Sequence, residues 1–335
     1  MKKLLLYIAV MVLANVMFAQ QLHQSSMYMM NNYLLNPAEG GTEDFIDLQL
    51  GYRTQWTGLG DGNGPKTIYL SGHTPLGKHS ITKDTSRVNS DELDSSVKPM
   101  AYHGVGGMVL SDNAGHFKTL DVKGSYAYHL PVGKHFNLSL GAFLGIKQTS
   151  LDNAALVSDA QGGIDPTLST DAKSTTINPD LTLGVWGYHK KYYFGISSFQ
   201  LLGSDVKLSE TTKDSKQNRH YYLTGGYKLD ISDKLFLVPS VLVKFLPGVP
   251  VTTDLNAKLN YDQKFWGGVS FRMGNEAESV VLLAGITLKN LVDIGYAYDV
   301  TMTAMNNVKN NGSHEIILGL RLQNHQHHAP PKQFW

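Results

Sequence analysis

The side chains able to do chemistry in this chain are numerous, but no motif assembles them. Thirteen histidines are spread over 335 residues, and His73, His103, His129, His189 and His220 fall in different segments. A serine hydrolase would carry Gly-x-Ser-x-Gly on a strand-to-helix turn, and a zinc protease His-Glu-x-x-His on a helix. Neither pattern occurs, nor does a paired-carboxylate motif. The absence of cysteine excludes disulfides, thiolate zinc sites and cysteine nucleophiles. Asp61 to Gly64, "DGNG", opens like a calcium loop but lacks the later Gly and Glu, and reads as a turn. Gly104 to Gly107, "GVGG", precedes a strand pattern rather than a helix, so it is no phosphate cradle. Close packing or a bend in a sheet suits it better. His325, His327 and His328 could hold a metal, but a solvated polar tail accounts for them. The residues therefore point to a protein that is not an enzyme and carries no cofactor or metal, with its histidines at the interfaces and in the interior of a sheet.

The charge is nearly balanced at +1, which leaves no basic footprint for nucleic acid. Charged residues make up only 17%, while Gly (33) and Tyr (17) are abundant, a composition that suits a barrel facing lipid on one side. The N-terminus has Lys2 and Lys3 followed by an apolar run from Leu4 to Met17. Residues 1–19 read as a secretory signal peptide cleaved after Ala19. No later apolar run reaches the roughly 18 residues of a membrane helix, a test that is blind to barrels.

Period-two alternation recurs along the rest of the chain. Leu120, Val122, Tyr126, Tyr128 and Leu130 share one parity, with Thr119, Asp121, Lys123, Ser125 and His129 on the other. Leu138, Leu140, Leu144 and Ile146 oppose Asn137, Ser139, Gly145 and Lys147. Strands are expected near 45–54, 66–75, 101–112, 117–130, 135–149, 179–189, 192–201, 220–230, 234–246, 253–262, 264–273, 279–288, 291–300 and 313–323. Their length of about ten residues suits tilted membrane strands, and an even number suits a bacterial barrel. Tyr and Trp near strand ends (Tyr52, Trp56, Tyr126, Tyr128, Trp186, Tyr188, Tyr192, Tyr193, Tyr221, Tyr222, Trp266, Tyr296, Tyr298) are expected as interfacial girdles. Tight joins alternate with long ones at 150–178, 202–219 and 301–312, which places both termini in the periplasm. The long polar stretch 76–100 breaks this phase.

The fold class is thus an all-β, antiparallel transmembrane outer-membrane barrel of about fourteen strands. Residues 1–19 form the signal peptide, 20–44 an N-terminal segment, 45–323 the barrel and 324–335 a tail. Within 20–44, Met27, Tyr28, Met29, Met30, Tyr33, Leu34 and Leu35 crowd into a stretch too short for its own core. Such surface must be covered: it plugs the lumen or docks a periplasmic protein. Asn31, Asn32 and Asn36 favour a polar lumen. Arg53 shares the lumen parity with Asp47 and Gln49, and would pair with an acidic residue such as Asp121 or Glu315.

A set of ordered motifs resembles the PorP/SprF family of outer-membrane proteins of the type IX secretion system of Bacteroidota. These are Asn36-Pro37 before the first strand, Arg53-x-Gln55-Trp56-x-Gly58 after it, Pro65-x-Thr67 opening the second, and His314-Glu315-Ile316 in the last. The set spans about Gln21 to Leu322, and Glu39-Gly40-Gly41 departs from the aromatic-Ala-Gly run more usual there. The resemblance implies an outer-membrane location and a barrel tied to secretion and gliding motility. It also implies as partners outer-membrane lipid, a secreted surface protein such as a large adhesin, and periplasmic components of the system. The motif residues would serve partner binding or barrel stability. A transport barrel for a small hydrophobic or polar solute is the competing reading.

Overall fold

A computed structural model describes residues 24–58, 64–78, 100–133, 136–152, 173–203, 205–206, 215–274, 278–302 and 311–323. The signal peptide, most of 76–100, the centres of the three long joins, most of "DGNG" and the tail 324–335 lie outside the described residues.

Fourteen strands close into one antiparallel ring. They are β1 (Phe45–Thr54), β2 (Lys66–Leu76), β3 (Tyr102–Ala114), β4 (Phe117–Pro131), β5 (Asn137–Asp152), β6 (Lys173–Tyr188) and β7 (Tyr192–Phe199). They continue with β8 (His220–Tyr227), β9 (Leu235–Phe245), β10 (Thr252–Tyr261), β11 (Phe265–Met273), β12 (Ser279–Leu288), β13 (Val292–Thr301) and β14 (Ser313–Gln323). Each strand pairs with its chain neighbours, and β1 closes on β14 with Phe45 opposite Gln323. Closure satisfies every edge of the ring, as a sheet in lipid requires. Leu229–Ser232 extends the β8–β9 hairpin, and a two-stranded ribbon, Asp205–Val206 with Ser215–Lys216, decorates the β7–β8 join.

The expected strands are all present. The largest boundary difference is at β6, which begins at Lys173 and pairs Lys173 with Asp152. Its first turn of sequence is polar and Thr-rich, so alternation of hydrophobicity could not mark it.

The alternation is inside out relative to a soluble sheet. Leu140, Leu144 and Ile146 are 57%, 66% and 50% exposed, whereas Ser139 and Phe143 on the other parity are fully buried. An apolar belt around a closed ring is matched by lipid tails, not water. The girdle expectation is corrected for Trp186, Tyr188, Tyr193, Tyr222 and Trp266, which face the interior. Tyr192 and Tyr221 point outward while their neighbours Tyr193 and Tyr222 point inward, because successive side chains leave opposite faces of a strand. Nearness to a strand end does not fix the face.

We call the end where β1 begins and β14 finishes the terminal end, and the opposite one the far end. The strands flanking the three long joins meet them at the far end, while β2 and β3 flank 77–101 at the terminal end. Gln24 is hydrogen-bonded to Arg272 at the far end, while Gln323 ends β14 at the terminal end. The physical reason is that residues 24–44 run through the ring before β1 begins.

Candidate functional site in the barrel lumen

Residues 24–44 form three single 3-10 turns, Tyr28–Met30, Asn32–Leu34 and Pro37–Glu39. These turns satisfy part of the backbone locally, as with Met30 N–H to Met27 O at 2.9 Å and Leu35 N–H to Asn32 O at 2.9 Å. Asn36 caps the third turn by accepting from Ala38 N–H at 3.0 Å, and Pro37 sits at its first position, where a missing N–H costs nothing. The seven apolar residues from Met27 to Leu35 are each at most 8% exposed. They pack with inward side chains such as Leu110, Phe143, Trp266 and Ile317 in one cluster.

At the far end the segment meets a balanced ion-pair network. Arg53 pairs with Asp299 at 2.7 Å and Glu315 at 3.1 Å. Arg272 pairs with Asp254 at 2.9 Å and Asp299 at 3.4 Å, and Lys244 with Asp254 at 2.9 Å. Ser26 enters this network by its backbone N–H to Glu315 at 2.7 Å and its hydroxyl to Asp299 at 2.7 Å. The Ser25 hydroxyl donates to Glu315 at 2.6 Å, and Arg53 donates to the Ser26 oxygen at 2.8 Å. Three cations thus face three carboxylates. Such a group is tolerated in the interior because its charges are matched in number and all but Arg53 Nε among its buried polar atoms are hydrogen-bonded.

Midway down, single polar contacts hold the apolar stretch. Tyr28 reaches Ser240 at 3.2 Å, Asn31 donates to Ser71 at 2.9 Å, and Gln49 donates to Met30 O at 2.9 Å. Tyr33 meets Ser125, and Ser197 donates to Leu35 O, both at 2.5 Å.

At the terminal end the seat is made of backbone and glycine. Asn36 donates to Val185 O at 2.9 Å and to Ile196 O at 3.2 Å, reaching two adjacent strands. Its amide occupies the space a Cβ would need at Gly184, Trp186 together with that amide does so at Gly195, and Ala38 does so at Gly141. Gly104 of "GVGG" lies against Gly40 and Gly41, which gives that motif its close-packing role. Gly41 N–H donates to His73 Nδ1 at 3.1 Å, so the proton of neutral His73 sits on Nε2, 3.4 Å from Glu39. His129 Nε2 meets Gly40 O at 2.9 Å, which makes Nδ1 the acceptor for Tyr188 at 3.0 Å.

Carboxyls crowd this end. Glu39 and Glu43, both buried, and Asp47 line an interior cavity of about 30 Å³ with Asn32 and Gln49. Burial pushes the Glu39 carboxyl well above its ordinary range, and Glu43 and Asp47 add to the shift. Burial likewise pushes Glu43 up to about 8, against the pull of Lys78. Glu39 Oε2, Glu43 Oε2, Gln49 Oε1 and Asn32 Oδ1 have no hydrogen-bond partner among the described residues. A protonated carboxyl can donate into such a ring of acceptors, and an ionised one cannot.

The residues singled out from the sequence do not gather at one point. Arg53 and Glu315 meet in the far-end network, and Asn36 and Pro37 seat the segment at the other end. Asp121 is not a partner of Arg53: it lies 3.5 Å from Lys123 and opposite Lys147 on β5, too far around the ring. Gln55, Trp56, Gly58 and Pro65 build the far-end turn, with Gln55 N–H to Pro65 O at 2.8 Å and left-handed backbone at Trp56 and Gly58. Thr67 donates to Asp112 at 2.5 Å. His314 faces outward and bonds Tyr296 at 2.7 Å, an interfacial arrangement that His103 repeats with Tyr126 at 2.6 Å. Sequence reasoning missed Ser26, Lys244, Arg272, Glu43 and the seat glycines Gly141, Gly184 and Gly195, and it noted Glu39 only as a departure from the family's run. Inward parity was the available signal for Asp254 and Asp299; nothing local marked Ser26.

A closed ring with a lipid-facing belt and its own N-terminal segment seated inside defines an outer-membrane β-barrel. The chain belongs to the PorP/SprF family: the family model described as type IX secretion system membrane protein PorP/SprF matches residues 17–320. It is a membrane component of that secretion system, located in the outer membrane. No curated protein matches the chain. Solved structures similar to it include a Pseudomonas aeruginosa FadL homologue (12% identity, 85% of this chain and 91% of that one, TM-score 0.47). Another is the Acinetobacter baumannii outer membrane protein Omp33 (11%, 85% and 100%, 0.44). A third is the Pseudomonas putida toluene transporter TodX (8%, 91% and 95%, 0.43).

Proposed function

We propose that this barrel is a non-enzymatic part of the type IX secretion and gliding machinery that assists the secretion or surface anchoring of a partner protein such as a large adhesin. Residues 24–44 act as a plug that keeps the lumen shut, and the terminal end faces the periplasm, where other components of the system would dock. The observation that carries this reading is the filled lumen: residues 27–39 are buried against inward side chains around the ring. The interior cavity beside Glu39 and Gln49, of about 30 Å³, has room for a water or two, and the packed stretch from Met27 to Leu35 leaves the described lumen filled. That argues against the small-solute transporter. A barrel so closed works by what it holds at its mouths.

Deleting Gln24 to Gly41 tests the plug. The purified variant, checked for barrel closure by heat-modifiable gel mobility, should conduct in planar bilayers where the full chain does not. Flat conductance with loss of a periplasmic partner from cross-linked envelope would replace the plug with a docking role.

A further inference from the structure

The direction of residues 24–44 has a consequence for which side of the membrane Gln24 meets. Contacts follow in order along the lumen. Thr42 O accepts from Lys78 at the terminal end, Asn36 lies beside Val185 and Ile196, and Tyr33 and Asn31 meet Ser125 and Ser71 halfway. Ser26 and Ser25 then reach Glu315, which stands opposite Arg53 near the far end of β1. The segment therefore runs the length of β1 in the reverse sense, inside the ring.

At Gln24 and Ser25 the segment opens to water. Ser26 is 1% exposed, whereas Gln24 and Ser25 are partly open. The lumen beside the segment is packed from Met27 to Leu35.

We infer that the segment opens to the far mouth at Gln24, so Gln24 and Gln323 lie on opposite sides of the membrane. The sockets at Glu315 and Asp299 for the Ser25 and Ser26 groups fix this placement. The orientation proposed above then puts Gln24 at the cell surface, at the same mouth as Val251 of the β9–β10 join, where it adds to the face offered to a surface partner.

The chain has no cysteine, so single-cysteine variants report position cleanly. Gln24→Cys is compared with Val251→Cys in the far-end join β9–β10 and Asp233→Cys in the terminal-end join β8–β9, both exposed. A membrane-impermeant maleimide is applied to intact cells and to lysed cells, with heat-modifiable mobility confirming a closed barrel. Gln24 and Val251 should label on intact cells, and Asp233 only after lysis. Labelling of Gln24 together with Asp233, or of Gln24 under neither condition, overturns the inference. If Asp233 labels on intact cells and Gln24 and Val251 only after lysis, the orientation fails while the inference stands.

Discussion

The two ends of the N-terminal segment are held by different physics. At the far end, three cations and three carboxylates enclose Ser26 in a network with side chains at most a fifth exposed. At the terminal end, hydrogen bonds to backbone carbonyls and glycine-lined seats hold Asn36 to Gly41, amid carboxyls that outnumber their partners. The first is a lock of matched charge. The second is a fit of shape whose carboxyls favour their neutral form. Shape tolerates no added atom, and neutral carboxyls tolerate no alkali, so the ends should fail under different insults.

The largest expected effect is at the far end. Arg272→Met leaves Asp254 and Asp299 short of a partner and should cost about 3–5 kcal/mol, as breaking a buried pair does. The midpoint of urea unfolding in lipid vesicles reads it. Lys78→Met at the other end removes a more open pair with Asp44 (side chains 20% and 48% exposed) and should cost under about 1 kcal/mol. Equal losses would erase the contrast.

Gly184→Ala comes next. A methyl there meets the Asn36 amide, an overpacking worth about 1–3 kcal/mol. Protease cleavage within 36–43 should rise while the ring stays heat-modifiable; cleavage near Ser26 instead would show that the far-end lock depends on the seat.

pH should separate the ends further. Glu43 is raised from 4.5 to about 8 in the fold. A raised carboxyl lends its full share of stability below about pH 4.5 and loses it as pH climbs through about 8. Glu39 shifts in the same direction. Hydrogen exchange at residues 38–43 should therefore quicken across that window, while residues 25–27 stay protected. Glu43→Gln should flatten the response; an unchanged profile would assign it elsewhere.

The smallest effect is expected midway. Tyr33→Phe removes one hydrogen bond, to Ser125, and should cost about 1 kcal/mol with no preference between the ends in exchange.

The amino-acid sequence by itself determined the ring: a period of two, carried through fourteen strands, sorts every side chain onto lipid or lumen, and that sorting is local. It placed Leu140 and Leu144 outside and Asp121 and Lys123 inside, because parity needs only neighbours in the chain. It also showed that Met27 to Leu35 required cover, since seven large apolar residues in so short a stretch cannot cover one another. Only the tertiary structure decided what covers them and which way they run. Ser26 meets Glu315 across 289 residues, and Arg53 chooses Asp299 and Glu315 over Asp121 because ring closure sets β1 beside β14. Those distances depend on the register of all fourteen strands at once, and no window of sequence contains them.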